Sequence, residues 1–163
     1  MGNDILKTII KTAISNEEKG SRFYARMAQK TVDKKIKNIF EKLSREEQEH
    51  KSAFEKLLRH EMGNSSEEIP EKEAKLLEAL VKTGVFHQMN EGDGAAVKSP
   101  VEALAIGILA EKDSILLYQG IYNQTNSKVV REMMSRLLEE EKMHLVELRE
   151  QMEEISAGTD QAF

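Results

Sequence analysis

Two Glu-x-x-His motifs are the parts of this sequence whose residue types and spacing favour chemistry. They are Glu47 with His50 and Glu141 with His144, and both interrupt apolar stripes of helical period. Residues three apart share one face of a helix, so each motif directs a carboxylate and an imidazole into a core where leucines would be expected. Carboxylate and imidazole are ligands for divalent metal ions such as iron, manganese and zinc.

Two more glutamates interrupt apolar stripes in the same way. Glu17 and Glu111 each lie 30 residues before the glutamate of a Glu-x-x-His motif. Glu18 is the adjacent alternative to Glu17, but it falls off the stripe. Four carboxylates buried together without compensation would cost several kcal/mol per ion and would repel one another. Two divalent ions would neutralise the four negative charges, so the pattern predicts two metal ions per chain.

The chain contains an internal repeat with an offset of 94 residues. The shift needs no gap, and it aligns Glu17 with Glu111, Tyr24 with Tyr118, Thr31 with Thr125, Lys34 with Lys128, Leu43 with Leu137, Glu46 with Glu140, Glu47 with Glu141, and His50 with His144. One Glu-x-x-His motif among 29 acidic residues is typical of a solvated helix face. Two motifs related by one offset, each with a matching upstream glutamate, indicate a duplicated hairpin that carries a dimetal site.

Four long amphipathic helices must position these side chains. The first is predicted from Asp4 to Gln29, and the second from an N-cap at Asp33 to Met62. "SPVE" begins the third with a capping box of Ser99, Pro100 and Glu102, and Ser127 caps the fourth.

Short turns at 30–33 and 124–127 predict two antiparallel hairpins, about 4–62 and 99–156. The crossover, about 63–98, contains a shorter helix over Pro70–Phe86 and an open loop at "NEGDG", and 157–163 is a short tail. We therefore predict one all-α domain over 1–163, a ferritin-like four-helix bundle with one long crossover.

Composition limits the function classes. The 163 residues include no cysteine, which excludes disulfides, thiolate metal sites and iron–sulfur clusters within this sequence. The net charge of −5 and the lack of a basic patch argue against a nucleic-acid partner. No apolar run approaches the 18 residues of a membrane span, and the N-terminus lacks the apolar segment of a signal peptide. We expect a cytoplasmic protein without a membrane partner.

The chain resembles a known protein family in four segments. They are "NEEKGSRFYARMA", "REEQEH", "AEKDSILLY" and "EEEKMH". Over residues 4–156 it resembles the rubrerythrin-like, ferritin-like di-iron carboxylate proteins. The resemblance implies two iron ions per chain, with manganese or zinc as substitutes, and implies that Glu47 and Glu141 bridge them. The implied iron ligands are Glu17, Glu47, His50, Glu111, Glu141 and His144.

Two departures from rubrerythrins qualify the implied function. The sequence contains no four-cysteine rubredoxin module, so electrons would come from an unknown external donor. Ser114 occupies the position of an extra carboxylate, one turn after Glu111. We expect an oxidoreductase whose Fe(II) reacts with H2O2 or O2, as a peroxidase or a ferroxidase. The alternatives are an iron-storage assembly, an O2-activating hydroxylase, and a helical bundle without catalytic activity.

Several features allow two interpretations. Tyr24 and Tyr118 follow Glu17 and Glu111 by two turns, so their hydroxyls either bond to ligand carboxylates or find partners elsewhere in the core. His87, with Glu91 and Asp93, is either a surface metal site or an ordinary polar part of the linker.

The apolar crossover helix favours a homodimer of about 37 kDa, twice the 18.5 kDa chain. Only eight residues follow Ile155. This counts against a ferritin-type cage, whose subunits add a fifth helix.

Overall fold

The structure, a computed structural model, describes residues 2–60, 69–90, 92–158 and 163. Within these ranges it contains helices and no strand. The helices are α1 (Gly2–Lys30), α2 (Lys34–His60), α3 (Glu71–Lys82), α4 (Val85–Gln88), α5 (Asp93–Ala96), α6 (Pro100–Gln124) and α7 (Lys128–Ser156). None of these helices is both long enough and apolar enough to cross a membrane.

The two predicted hairpins are α1–α2 and α6–α7, and the predicted N-caps are confirmed. The Asp33 carboxylate accepts a hydrogen bond from the Ile36 N–H at 3.0 Å, and the Ser127 hydroxyl accepts one from the Val130 N–H at 3.3 Å. Such bonds satisfy N–H groups that the first helical turn leaves without partners. In each hairpin three residues separate the two helices. The two hairpins pack together as the predicted all-α four-helix bundle.

The start of α6 differs slightly from the predicted capping box. The Ser99 hydroxyl accepts from the Glu102 N–H at 3.2 Å, as expected. The Glu102 carboxylate accepts from the Lys98 N–H at 2.9 Å, one residue before the N-cap. The predicted end of the second helix at Met62 lies outside the described residues, and α2 is described to His60.

The crossover contains three short helices where one helix and an open loop were predicted. The predicted helix over Pro70–Phe86 is wrong after Lys82, where α3 ends. The Asp113 carboxylate accepts a hydrogen bond from the Val85 N–H at 2.9 Å and thereby anchors the start of α4. The loop after α4 folds into α5, which begins at Asp93. The contact between Val85 and α6 is one that local sequence does not reveal.

The crossover helix α3 packs against α1 and α6 of its own bundle. Its buried face consists of Ala74, Leu77 and Val81, while Leu76 is 60% exposed. A Cβ at Gly120 would lie 2.4 Å from the Leu77 Cδ2, so a larger residue there would require the Leu77 side chain to shift. The apolar face that suggested a dimer is therefore covered within the chain.

The core is divided into two apolar clusters with a polar layer between them. On α2, Leu43 belongs to one cluster and Phe54 to the other, and the first Glu-x-x-His motif lies between. On α7 the clusters follow in the reverse order, with Leu137 and Leu148 on either side of the second motif. This layering surrounds the ionisable side chains with dry, packed surface.

Candidate metal centre

The six predicted ligands lie together in the polar layer, and each is at most 3% exposed. They form two groups whose potential ligand atoms all lie within 4.8 Å of one another. The groups are Glu17, Glu47, His50 and Glu141, and Glu47, Glu111, Glu141 and His144. Glu47 and Glu141 belong to both groups, which is the arrangement that two bridging carboxylates require.

Each of the four long helices contributes predicted ligands to the same polar layer. Glu17 comes from α1 and Glu111 from α6, and the two motifs come from α2 and α7. The His50 Nδ1 lies 2.6 Å from a Glu141 oxygen and 3.7 Å from a Glu17 oxygen. The His144 Nδ1 lies 3.7 Å from both Glu47 and Glu111. The imidazole rings are nearly parallel, with centroids 5.7 Å apart.

Gly20 keeps space open beside the centre. A Cβ at this position of α1 would lie 2.9 Å from the Phe86 ring and 3.0 Å from a carboxylate oxygen of Glu47. Both contacts are closer than side chains normally permit. The glycine therefore allows the crossover and a ligand carboxylate to approach α1 together.

Burial and mutual repulsion perturb the carboxyl groups of the metal-free layer. Burial, followed by the neighbouring carboxylates, raises the pKa values of Glu17 and Glu47 well above their usual range. Burial and the charge of Glu141 raise the pKa of Glu111 to about 8. Burial also opposes ionisation of Glu141, but the closely placed Glu111 and the two histidines outweigh it and lower the pKa.

The surroundings of the two histidines favour their protonated forms in the metal-free layer. Burial alone would lower their pKa values, but the adjacent carboxylates overcome it. Glu141 beside His50 raises that pKa to about 10, and Glu111 with Glu141 raises the pKa of His144 to about 12. In the absence of metal, protonation of these histidines would offset part of the negative charge of the layer.

The inward-facing atoms of this layer fit a metal site. Both oxygens of Glu17 and of Glu141, one oxygen of Glu47 and the Nδ1 of each histidine are buried without a well-aligned hydrogen bond. Unsatisfied buried polar atoms are costly, and here seven converge in one place. Oxygen and nitrogen donors of this kind suit divalent first-row metals. Ligation by each of the six residues stays a prediction, to be tested by metal analysis.

Glu46 and Glu140 contact the histidines on the side that faces away from the polar layer. The sequence motifs did not predict this role. The Glu140 carboxylate lies 2.7 Å from the His50 Nε2, and Glu46 contacts the His144 Nε2 in the same way. Each glutamate comes from the opposite hairpin. Because a carboxylate contacts Nε2, Nδ1 faces the polar layer and is the nitrogen available to bind a metal ion. Their match across the 94-residue repeat was a signal that could have identified them.

Replacing an outer glutamate should weaken metal binding while the six ligands stay in place. We expect Glu46→Gln and Glu140→Gln each to lower metal affinity by roughly 10- to 100-fold, because each loosens one imidazole. Competition titrations with a chelating dye would measure this. Glu139→Gln, an exposed neighbour on α7, is the matched control and should bind metal normally. Equal affinities for all three variants would contradict the assigned contacts.

The two tyrosines make different contacts despite their equivalent positions. The Tyr24 hydroxyl donates a 2.7 Å hydrogen bond to Glu111 of the other hairpin. The Tyr118 ring packs on Phe54, with centroids 5.2 Å apart. Neither oxygen of Glu17 accepts a hydrogen bond. Tyr24 therefore orients a predicted ligand, while Tyr118 contributes packing.

The remaining candidates lie away from the layer. Glu18 faces outward, where Lys51 lies 2.5 Å away and lowers its pKa. In the part of the chain that the structure describes, His87 and Asp93 join no group of potential metal ligands. Glu91 lies outside the described residues. Ser114 lines a small cavity of about 30 Å³ between α1, α6 and the crossover.

Metal uptake by the apo protein is expected to release protons. The raised pKa values of Glu17, Glu47 and His50 mean that these groups keep their protons to higher pH than usual, and metal binds only their deprotonated forms. Because protons compete with metal, affinity should rise as the pH increases from about 6 to about 8. Calorimetry of Mn(II) binding in buffers of different ionisation enthalpy would count the protons released. Heats that do not depend on the buffer would contradict this prediction.

Comparisons with known proteins agree with this geometry. The profile of the Rubrerythrin family matches residues 8–152, a range that includes all six predicted ligands. The fold is similar to a crystal structure from Thermotoga maritima described as that of a ferritin-like diiron-carboxylate protein. That match has a TM-score of 0.65 and 23% identity, and it covers 94% of this chain and 96% of that one. It establishes the shared fold alone. Among curated proteins none matches this chain. Since the family match spans most of the sequence and contains the buried carboxylate and histidine layer, this chain belongs to the rubrerythrin family.

Proposed function

We propose that this protein is a di-iron oxidoreductase in which two Fe(II) ions reduce peroxide or O2. The observation that carries the proposal is the pair of four-ligand groups that share Glu47 and Glu141. Two ions would be held close together, and four glutamates would balance their four positive charges. Manganese or zinc could replace iron in such a donor set.

The chain's own residues would prepare the site for this chemistry. Bound iron would supply two electrons, which, with two protons, convert H2O2 to two molecules of water. The outer carboxylates of Glu46 and Glu140 keep the imidazoles in one orientation, and the Tyr24 hydroxyl does the same for Glu111. The apolar clusters on both sides exclude bulk water and favour a small oxidant over a large organic substrate.

The test is anaerobic loading with Fe(II), followed by separate rapid mixing with H2O2 and with O2. Faster oxidation by H2O2 supports a peroxidase, and fast oxidation by O2 supports a ferroxidase. Continued uptake of iron far beyond two per chain would favour the alternative of iron storage. If neither oxidant reacts faster than with free Fe(II), the protein is a metal-binding bundle without this activity. The cytoplasm is the compartment we propose, since Fe(II) persists under a reducing poise.

We also propose that two copies of the chain form a dimer through the outer face of α6 and α7. This face exposes Leu109, Leu116, Met143 and Val146, each between 47% and 57%. The equivalent positions in the first hairpin are polar, namely Ser15, Arg22, Glu49 and Ser52. The fold therefore does not require apolar residues at these positions.

The size and charge of this face suit a second copy. Two adjacent helices, about 40 Å long and about 10 Å wide each, cover roughly 800 Å², the share of one partner in a standard interface. The exposed Lys112, Glu139 and Lys142 provide both signs of charge, as a self-complementary two-fold contact needs.

Light scattering should give about 37 kDa for the native protein, twice the 18.5 kDa chain. The double variant Leu116→Arg with Met143→Glu introduces the residues of the first hairpin at the equivalent positions. It should be monomeric, because two buried charges disfavour the interface. A native monomer would contradict the dimer, and a particle near half a megadalton would favour an iron-storage cage.

A further inference from the structure

A cavity of about 370 Å³ lies on the surface, outside the metal layer, between α1 and the crossover. Its lining includes Lys19, Arg22, Phe23 and Arg26 of α1, with Met89 of the crossover. We propose that this cavity binds the electron donor, a planar heteroaromatic molecule bearing phosphate, of the flavin class. The inference rests on the proposed redox function. The volume falls within the usual range for small-molecule sites.

Three cations on one face of α1 supply the affinity for an anion. Lys19, Arg22 and Arg26 follow helical spacing in a chain whose net charge is −5. The Lys19 ammonium donates to the neutral carbonyl oxygen of His87 at 3.0 Å, which holds the side chain but leaves its charge available. Arg22 is paired with Glu18 at 3.1 Å. Guanidinium groups bind phosphate through two parallel hydrogen bonds, which makes arginine well suited to such a group.

The loop beside the cavity is shaped around one of these cations. A Cβ at Gly94 would lie 3.1 Å from the Arg26 Cδ, so the glycine lets the arginine stem pass close to the crossover. The exposed Asp93 carboxylate in this loop accepts a hydrogen bond from the Asn90 N–H at 2.7 Å. The Asp93 carboxylate thus fixes the turn in front of the cavity.

The second hairpin lacks the same surface. The 94-residue offset matches Lys19 to Asp113, Arg22 to Leu116, Phe23 to Leu117, and Arg26 to Gly120. The bundle therefore forms without cations or an aromatic ring at these positions. Their presence in only one hairpin indicates a ligand that binds on one side.

An aromatic contact joins this cavity to the metal layer. Phe23 lines the cavity and is 4% exposed, and its ring lies 5.4 Å from the Tyr24 ring in an edge-to-face arrangement. The Tyr24 hydroxyl donates to Glu111, a predicted ligand, at 2.7 Å. One ring therefore separates a bound molecule from the tyrosine that contacts the centre. Met89, which is half-buried, offers an apolar surface for a planar ring.

The chemistry balances with a two-electron donor. A reduced flavin loses two electrons and two protons and becomes oxidised flavin. The electrons convert two ferric ions to ferrous ions, and the protons pass to solvent. A reduced nicotinamide dinucleotide shares the planar ring and the phosphate, and its oxidation releases two electrons and one proton, so two ferric ions and solvent would accept them.

Titration of the metal-free full chain with flavin mononucleotide, followed by flavin fluorescence, tests binding without any catalytic readout. Riboflavin, which lacks phosphate, and NADH form the comparison arms. We expect flavin mononucleotide to bind at least tenfold more tightly than riboflavin, and Arg22→Gln with Arg26→Gln to remove this advantage. Lys11→Gln, an exposed position earlier on α1, is the matched control and should leave binding unchanged.

A second variant tests the aromatic contact. Phe23→Leu introduces the residue of the second hairpin and should leave metal content and phosphate-dependent binding intact. It should slow the anaerobic reduction of the ferric centre by reduced flavin at least tenfold. An unchanged rate would overturn the role of Phe23. A thermal melt and a metal assay of this variant distinguish a slow reduction from misfolding or loss of iron.

Other outcomes overturn the binding site itself. Equal affinity for riboflavin and its phosphate would exclude the role of the cations, and no binding of either flavin or NADH at millimolar concentration would exclude the site. Preferential binding of NADH would replace the flavin with a nicotinamide donor. If the ferric centre is reduced only by an acidic iron–sulfur protein, the three cations bind a protein donor and not a small molecule. Oxidation of loaded Fe(II) by peroxide or O2 is measured separately, so the proposed function can hold when this site fails.

Discussion

Alanine at Glu47 or at Glu141 is expected to remove both metal ions, whereas alanine at Glu17 or Glu111 should remove one ion preferentially. Glu47 and Glu141 belong to both four-residue groups, and Glu17 and Glu111 belong to one each. Losing a shared carboxylate takes one ligand from each ion and leaves the remaining buried charges unbalanced.

Metal analysis after anaerobic loading with Fe(II) would measure this, and native protein should approach two ions per chain. His50→Ala should resemble Glu17→Ala, because both residues belong to the same group. Glu18→Ala changes the outward-facing neighbour, which pairs with Arg22 and Lys51, and should retain full metal content. Unchanged stoichiometry in both Glu47→Ala and His50→Ala would show that this layer is not the metal site.

Metal loading is also expected to raise the thermal midpoint substantially. Each ion that binds only the folded state contributes about 4 kcal/mol at roughly 1,000 times its Kd. Two ions would contribute about 8 kcal/mol, which for a chain of this size corresponds to a rise on the order of 20 °C. The metal-free fold must instead keep seven buried polar atoms without aligned hydrogen bonds, which is unfavourable.

Leucine variants separate stability from metal binding. Glu47→Leu with Glu141→Leu should melt at or above the midpoint of the native apo protein, because apolar side chains replace crowded carboxyls in a layer flanked by packed clusters. The same variant should gain no stability from Fe(II) or Mn(II). Thermal melts of both proteins with and without metal would test this. Midpoints that do not change in either comparison would mean that the carboxylates are not clustered.

Most of the fold and the candidate ligands followed from the sequence. A 3.6-residue apolar period, interrupted at Glu47 and His50 and again 94 residues later, identifies the helices and the buried polar positions together. The caps at Asp33 and Ser127 likewise depend on bonds within three residues. Such features are local, so the chain reveals them without knowledge of its packing.

The tertiary structure alone decided which side chains meet across the two hairpins. His50 is held by Glu140 and His144 by Glu46, and these contacts depend on how the hairpins are aligned along the bundle. The same alignment gives Tyr24, and not its counterpart in the repeat, a bond to a predicted ligand. Where the crossover helix breaks near Val85, Asp113 on α6 accepts a hydrogen bond from the Val85 backbone N–H. Sequence periodicity determines which face of a helix is buried, but contacts between helices also depend on axial register and side-chain rotamers, which only packing of the whole chain sets.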